Sequence, residues 1–286
     1  MKIALATCHD LPGWEVDDKP LHEALKALGA TVHTPIWNDD VDWEQFDMTV
    51  IRTTWDYHAN QIEFVDWCRK VPRLFNNATV VAWNTHKSYL RELSSGGAII
   101  APTSWISAGE HVDLSQIMHT FETSRGFIKP QVGACASDTL RFTLENIEEA
   151  QAFLNAQLHQ DMMVQPYIES VETAGELSAI FIDGEFTHGV QKIPVEGDYR
   201  VQDDFGASDN PYTFTEEERS MMGEVLHCVP DHKSLLYARF DYLLGDDGTL
   251  LLNELELIEP SLFFRHCKET ANIFADAIVK RVMMLR

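Results

Sequence analysis

The segment YARFDYLLGDDGTLLLNELELIEPSLFF, residues 237–264, reads as a β-hairpin. An aspartate-glycine turn joins two runs rich in Leu, Tyr and Phe, and strand side chains alternate faces with period 2. With Asp246-Asp247 or Asp247-Gly248 at the centre of the turn, Arg239 and Asp241 share a face with Glu254 and Glu256. Asp241 then stands directly across from Glu254 or diagonal to it, about 4.5 to 8 Å apart at Cβ. The opposite face carries Phe240, Tyr242, Leu251, Leu255 and Leu257 and is a core face. Carboxylates at this spacing suit the sharing of hard cations. The alternative is a solvated charged face, but opposed like charges are destabilising and ask for a compensating cation.

Working outward, 286 residues exceed the usual single-domain size and imply two or three subdomains around a large buried core. The formal charge of -23 argues against binding a long nucleic acid, which needs clustered Lys and Arg. A nucleotide held with magnesium remains compatible, since it needs only one or two lysines. The apolar run at the N-terminus is too short for a signal sequence and no segment reaches membrane-spanning length, so a cytoplasmic protein is expected. Cys8, Cys68, Cys135, Cys228 and Cys267 are scattered without C-x-x-C spacing and read as reduced thiols rather than a zinc site.

Strands at residues 2–6, 31–35 and 48–53 alternate with helices at 20–29, closed by Gly29, and at 62–71. This predicts a small parallel α/β domain over residues 1–84. A short helix in NTHKSYLRELSS follows, with Asn84 as its cap. An extended APTSWI, a helix over 114–121, a GFIKP strand and a helix in NIEEAQAFLNAQL come next. MMVQPYIES is a strand broken at Pro166, LSAIFIDGEFTHGVQKIP a hairpin about Asp183-Gly184, and residues 196–210 a polar loop over a site. A helix over 215–226, the acidic hairpin and a last helix complete a chain that is α/β at first and α+β in its C-terminal part.

Four elements, Lys87 in NTHKSYL, Lys129 in FIKP, the QPYIE linker at 165–169 and RFD followed by NELE, resemble in order and spacing the ATP-grasp superfamily of carboxylate-amine ligases. The likeness covers residues 84–286. IRTTWDY, GDYRVQ and NELELIEPSLF narrow it to the glutathione-synthetase-like branch and a group that includes the O-ureido-D-serine cyclo-ligase. The resemblance implies an ATP-grasp fold of two subdomains, 85–163 with the phosphate lysines and 164–286 with the adenine linker and metal-binding hairpin, preceded by the α/β substrate domain 1–84. It implies ATP, two Mg2+ ions with Mn2+ as an alternative, a small carboxylate and an amine as substrates, and no membrane or nucleic-acid partner. Homo-oligomers also occur among such enzymes.

By the same resemblance Asp241, Glu254 and Glu256 are the metal ligands, although many relatives carry Asn where Glu256 stands. Lys87 and Lys129 point at phosphates. Gln165, Pro166, Tyr167 and Ile168 read adenine through backbone groups freed by the proline, with Glu169 and Glu176 near the ribose or adenine. Arg239 stabilises charge on the transferred phosphoryl, with Lys192 and Arg200 as further catalytic cations. Arg52, Gln202 and Ser261 face the substrate, and the small residues of GACASDT, 133–139, let amides approach phosphate.

From the residues alone, each has a plainer reading. Lys87 fits a solvated helix face, Lys129 an edge-strand lysine, the linker a proline-broken edge strand and Arg239 an ion pair with Glu254. Trp55 and Tyr57 fit core packing, and Arg265 is a weaker substrate candidate. The twelve histidines, His9, His188 and His266 among them, show no metal-ligand spacing. The leading expectation is a ligase that activates a small acid as acyl phosphate for attack by an amine, between molecules or within one. A small-molecule kinase on the same scaffold, a nucleotide-binding protein without turnover and an acidic interaction domain are the other readings.

Overall fold

A computed structural model describes residues 1–9, 11, 15–133, 138–202 and 205–285. The chain opens with β1 (Lys2–Thr7), α1 (Lys19–Ala27), β2 (Thr31–His33) and β3 (Met48–Thr53), then α2 (Gln61–Lys70) and β4 (Leu74–Phe75). The strands form a parallel sheet in the order β2-β1-β3-β4. Every residue of β3 is buried, as expected of a parallel strand covered on both faces. Helix α1 turns Leu21, Ala24 and Leu25 to the core and ends where Gly29 takes a φ of 81°. The Gly29 amide then reaches Lys26 O and the Ala30 amide reaches Leu25 O, which closes the last turn.

Next come α3 (Ala78–Asn84), α4 (Tyr89–Ser95), β5 (Ser104–Ile106), α5 (Leu114–Thr120), β6 (Arg125–Pro130), β7 (Leu140–Thr143), α6 (Ile147–Ala156) and β8 (Met162–Pro166). Strands β5 to β8 make an antiparallel sheet in the order β5-β8-β6-β7. The final sheet contains β9 (Glu176–Ile182), β10 (Glu185–Ile193), β11 (Ser208–Tyr212), β12 (Tyr237–Leu244) and β13 (Leu250–Glu256), in the order β11-β10-β9-β12-β13. Two helices accompany it, α7 (Glu216–Leu226), begun by a Thr215–Glu218 capping box, and α8 (Lys268–Leu285).

The two faces of that sheet differ. Leu177, Ala179, Phe181, Phe240, Tyr242, Leu252 and Leu255 pack in one core with Met222, Val225 and Leu226 of α7. On the other face, Ile180, Ile182, Val190 and Tyr237 join Phe274 and Ile278 of α8 and the first sheet's Ile3, Leu5 and Val50. Beyond this apolar half the same face turns polar, and the candidate site lies there.

The edge strand β13 is closed by side chains rather than by another strand. Asn84 Nδ2 donates to Leu255 O at 2.7 Å, Asn84 Oδ1 accepts from Leu257 N at 2.9 Å, and Tyr89 Oη accepts from Leu255 N at 3.0 Å. Asn84 is therefore the last residue of α3 and a sheet clamp, not the cap of the next helix. Sequence periodicity also passed over α3, β4 and β7, and it placed the start of β11 inside a loop.

Candidate active site

The hairpin brings together the residues expected of it. Arg239 pairs with Glu256 and Asp241 with Glu254 in the β12–β13 register. A β-bulge follows, so Tyr242 pairs with Leu252 and Asn253 is the extra residue. The bulge moves Leu250 and Leu252 into the core in place of Leu251, and it lets Asn253 and Glu254 both serve the polar face. Asn253 bridges two strands, accepting from Lys129 Nζ at 3.0 Å and donating to Glu176 Oε2 at 2.7 Å. Period-2 counting missed it because a bulge breaks that count.

Around the hairpin, carboxylates and cations alternate. Lys87 Nζ is 3.0 Å from Glu254 Oε1 and Lys129 Nζ 4.0 Å from the same oxygen. Lys192 pairs with Glu176 and, at 3.1 Å, with Asp241. Arg239 forks onto Asp241, its closest contact 2.8 Å, and reaches Glu256 at 2.5 Å. Ser178 donates to Asp241 Oδ1 at 2.5 Å, a partner that period and composition do not reveal. Lys87 comes from the turn before α4, fixed by its amide donating to Gln131 O at the end of β6. Gly175, with a φ of 69°, admits Glu176 to this corner, since a Cβ there would run into the Lys192 carbonyl.

Proximity sets the charge states. Burial opposes ionisation of Asp241, yet Arg239, Lys192 and the Ser178 hydroxyl hold its carboxyl well below the usual range. Burial is likewise outweighed at Glu254, lowered by Lys87 and Lys129. Glu256 goes the other way: burial, with Asp241 and Glu254 nearby, pushes it up to about 7 against Arg239. Burial brings Lys129 down to about 8, whereas Lys87, closer to Glu254, is raised.

Among the described residues no three carboxylate, imidazole or thiolate groups converge as a ready-made metal cage. Magnesium is commonly held by one or two carboxylates together with substrate phosphates. The hard oxygen donors of the hairpin are those of Asp241 and Glu254, on strand positions that pair directly, and of Glu256, which pairs with Arg239 one step along the same face.

The remaining expected residues are distributed around this cluster. Gln165 is buried and donates to Thr103, Pro166 ends β8 opposite Gly126, and the Tyr167 amide is engaged by Arg125 O rather than left free. Ile168 leads into a short 3-10 turn in which Glu169 pairs with Arg125 at 2.8 Å, largely exposed. Arg200 closes on Asp198 at 2.7 Å and stacks on Phe205, and Gln202 is exposed, so neither is brought into the cluster. Arg52 is fully buried on Asp18 at 2.8 Å and Pro260 O at 2.9 Å, facing the interior rather than open space. Ser261 O accepts from Arg239 at 3.1 Å. Asp17 receives the amides of Phe264 and Arg265 at 3.2 and 3.0 Å, while Arg265 and His266 both meet Asp209. Of the 133–139 segment, residues 134–137 lie outside the described residues, as do residues 203 and 204 of the loop at 196–210.

This architecture is that of ATP-grasp ligases. A D-alanine–D-alanine ligase from Bacillus anthracis superposes with a TM-score of 0.67 at 13% identity, over 100% of this chain and 98% of that one, a likeness of fold. The crystal structure of D-cycloserine synthetase DcsG superposes with a TM-score of 0.88 at 27% identity, over 99% of this chain and all of that one. The cycloserine biosynthesis protein DcsG of Streptomyces lavendulae is 29% identical over 299 residues, 98% of this chain and 96% of the relative. Residues 3–76 match the family described as D-cycloserine synthetase DcsG, N-terminal domain, and residues 85–259 match the RimK-like ATP-grasp domain. The chain belongs to the RimK-like ATP-grasp family and is an ATP-dependent carboxylate-amine ligase.

Proposed function

We propose that this ligase activates a small amino-acid-like carboxylate as an acyl phosphate and joins it to an amine, in the same molecule or in a second one. The supporting observation is the alternation of Glu254, Glu176, Asp241 and Glu256 with Lys192 and Arg239 of the same sheet and with Lys87 and Lys129, which reach them from the turn before α4 and from β6. A metal–triphosphate complex carries both signs of charge and matches both partners, its cation at the carboxylates and its phosphate oxygens at the ammonium and guanidinium groups.

In this reading Asp241 and Glu254, with Glu256 beside them, hold Mg2+, as two ions. Bound there, the metal neutralises phosphate oxygens and orients the γ-phosphoryl group. Lys87 and Lys129 bind the phosphates, and the strand end at Gln165, Pro166, Tyr167 and Ile168 borders the adenine, with Glu169 nearest its outer edge. The substrate carboxylate oxygen attacks the γ-phosphorus and ADP leaves. The amine nitrogen then attacks the acyl carbon, phosphate leaves and the nitrogen loses a proton. Arg239 and Lys192 face the charge that develops in both steps. Ser261 is held on the substrate side by Arg239, and Arg52 acts through the Pro260 carbonyl it grips. Likeness to a D-cycloserine synthetase supports an amino-acid derivative closing onto its own nitrogen.

The acid and amine are small molecules, and the net charge of -23 disfavours nucleic acid. Among the described residues no helix is long and apolar enough to cross a membrane, and we place the reaction in the cytoplasm. The test is ADP release with candidate acids in the presence of hydroxylamine. An acyl hydroxamate is expected, and a stable phosphate ester would replace the ligase by a kinase.

A further inference from the structure

We infer that Asp161 and His86 are positioning residues that hold Lys87 in place for the phosphates of ATP. This rests on the reading of Lys87 as a phosphate ligand and adds the groups that fix where its ammonium stands. Lys87 lies in the short turn between α3 and α4, outside any helix or strand. A closed ring of contacts holds that turn. The Lys87 amide donates to Gln131 O at 2.7 Å and the Gln131 amide to Asp161 O at 2.9 Å. Asp161 Oδ2 then returns to the start of the ring, 3.1 Å from Nε2 of His86, the residue before Lys87.

Each member of the ring is fixed in turn. The Ser88 amide donates to His86 Nδ1 at 3.3 Å, and the Ser88 hydroxyl lies 2.8 Å from the same nitrogen. An amide can only donate, so Nδ1 is the acceptor and the ring proton sits on Nε2, aimed at Asp161. The other oxygen of Asp161 accepts from the Ala108 amide at 2.7 Å, in the turn after β5, which keeps the carboxylate from rotating. Gln131 is buried, and its side chain donates to the carbonyl of Met162, the first residue of β8, at 2.7 Å. The ring thus joins the turn of Lys87 to the end of β6, two residues past Lys129, and to the start of β8.

Among the described residues neither the His86 nor the Asp161 side chain bonds to the hairpin or to the Lys87 ammonium, so they act on Lys87 through the main chain. Their side chains are 29% and 40% exposed, and a pair so open to water contributes little to folding. What it contributes is position. A lysine stem is flexible, so the turn is the fixed point from which the ammonium reaches Glu254 Oε1 at 3.0 Å and Gly133 O at 3.3 Å. Small displacements of such supporting groups loosen a binding site before they unfold it.

The test is calorimetric titration of a non-hydrolysable ATP analogue with Mg2+. Asp161→Ala and His86→Ala should each weaken the analogue by about three- to tenfold, the size of one hydrogen bond. Asp161→Asn keeps an oxygen acceptor for one of its two donors and should fall between Asp161→Ala and the wild type. In a Lys87→Met background Asp161→Ala should weaken the analogue no further, because an effect carried by Lys87 is lost with it. A merely structural role gives the same factor in both backgrounds. Urea unfolding shows that each variant is folded, and if Asp161→Ala is not, His86→Ala carries the same cycle. Wild-type affinity in Asp161→Ala and His86→Ala, or an equal factor in both backgrounds, would overturn the inference. Wild-type affinity in Lys87→Met would remove the phosphate reading of Lys87 and the inference with it, so the two fail in distinguishable ways.

Discussion

Lys87 and Glu254 meet at 3.0 Å across two elements far apart in the chain, the turn before α4 and the edge strand β13. The first is a proposed phosphate ligand and the second a proposed metal ligand, so nucleotide binding must exchange this pair for two new ones. Lys87→Met should therefore weaken ATP more than it weakens the fold. An increase of about tenfold or more in the KM for ATP is expected, read from the ATP dependence of ADP release. An unchanged KM would take Lys87 out of the phosphate site.

Asn253 joins Lys129 to Glu176 through both ends of its amide. Asn253→Leu strands both partners in a buried corner and should lower kcat by roughly tenfold or more while the urea midpoint shifts modestly. Asn253→Asp keeps the acceptor for Lys129 but sets a second anion beside Glu176. It should fall between wild type and Asn253→Leu in kcat.

Arg52 and Asp18 form a fully buried forked pair, with Arg52 also over the rings of Tyr237 and Phe274. Arg52→Met leaves Asp18 as an unpaired buried charge and should cost about 3–5 kcal/mol in urea unfolding. Adding Asp18→Asn should restore part of the loss. Arg52→Lys should not match the wild type, because an ammonium does not reproduce the fork that holds Asp18 and Pro260 O together.

His188 supplies a pH dependence away from the hairpin. Burial lowers its pKa from 6.5 to about 4, partly offset by the Phe263 backbone. A depressed folded-state value means the unfolded chain takes up the proton first as pH falls. Its contribution to stability is thus complete above about pH 6.5 and is lost as pH falls through about 4. His188→Gln should flatten the stability profile between these limits, measured as the difference in urea midpoint from wild type. Parallel profiles would show that His188 does not titrate this way.

The hairpin was legible because its signals are local. The aspartate-glycine signal marks the hairpin, but the turn runs from Gly245 to Thr249 rather than over two residues, and it is the bulge at Asn253 that restores the pairing of Asp241 with Glu254 and of Arg239 with Glu256 on one face. Lys87, Lys129 and Lys192 lie beside the hairpin's carboxylates, Lys87 and Lys129 by Glu254 and Lys192 by Asp241. What escaped depends on contacts that composition and period do not report, some of them between distant segments. The bulge that exchanges Leu251 for Leu252 and recruits Asn253 leaves no mark on composition. Asn84 reads as a helix cap because asparagine commonly is one, and only the edge of β13 gives it another role. Arg52 looks available after a strand until Asp18 is brought beside it, and Arg200 looks like a site cation until Asp198, two residues earlier, closes on it.

The central claim is that Asp241 and Glu254 hold divalent ions that present ATP's phosphates to the lysines. Titrating Mn2+ into the protein with a non-hydrolysable ATP analogue, followed by electron paramagnetic resonance, tests it most directly. Saturable, nucleotide-dependent Mn2+ binding is expected in the wild type and its loss in Glu254→Gln and Asp241→Asn, with both variants still folded. Equal Mn2+ binding by wild type and variants would contradict it.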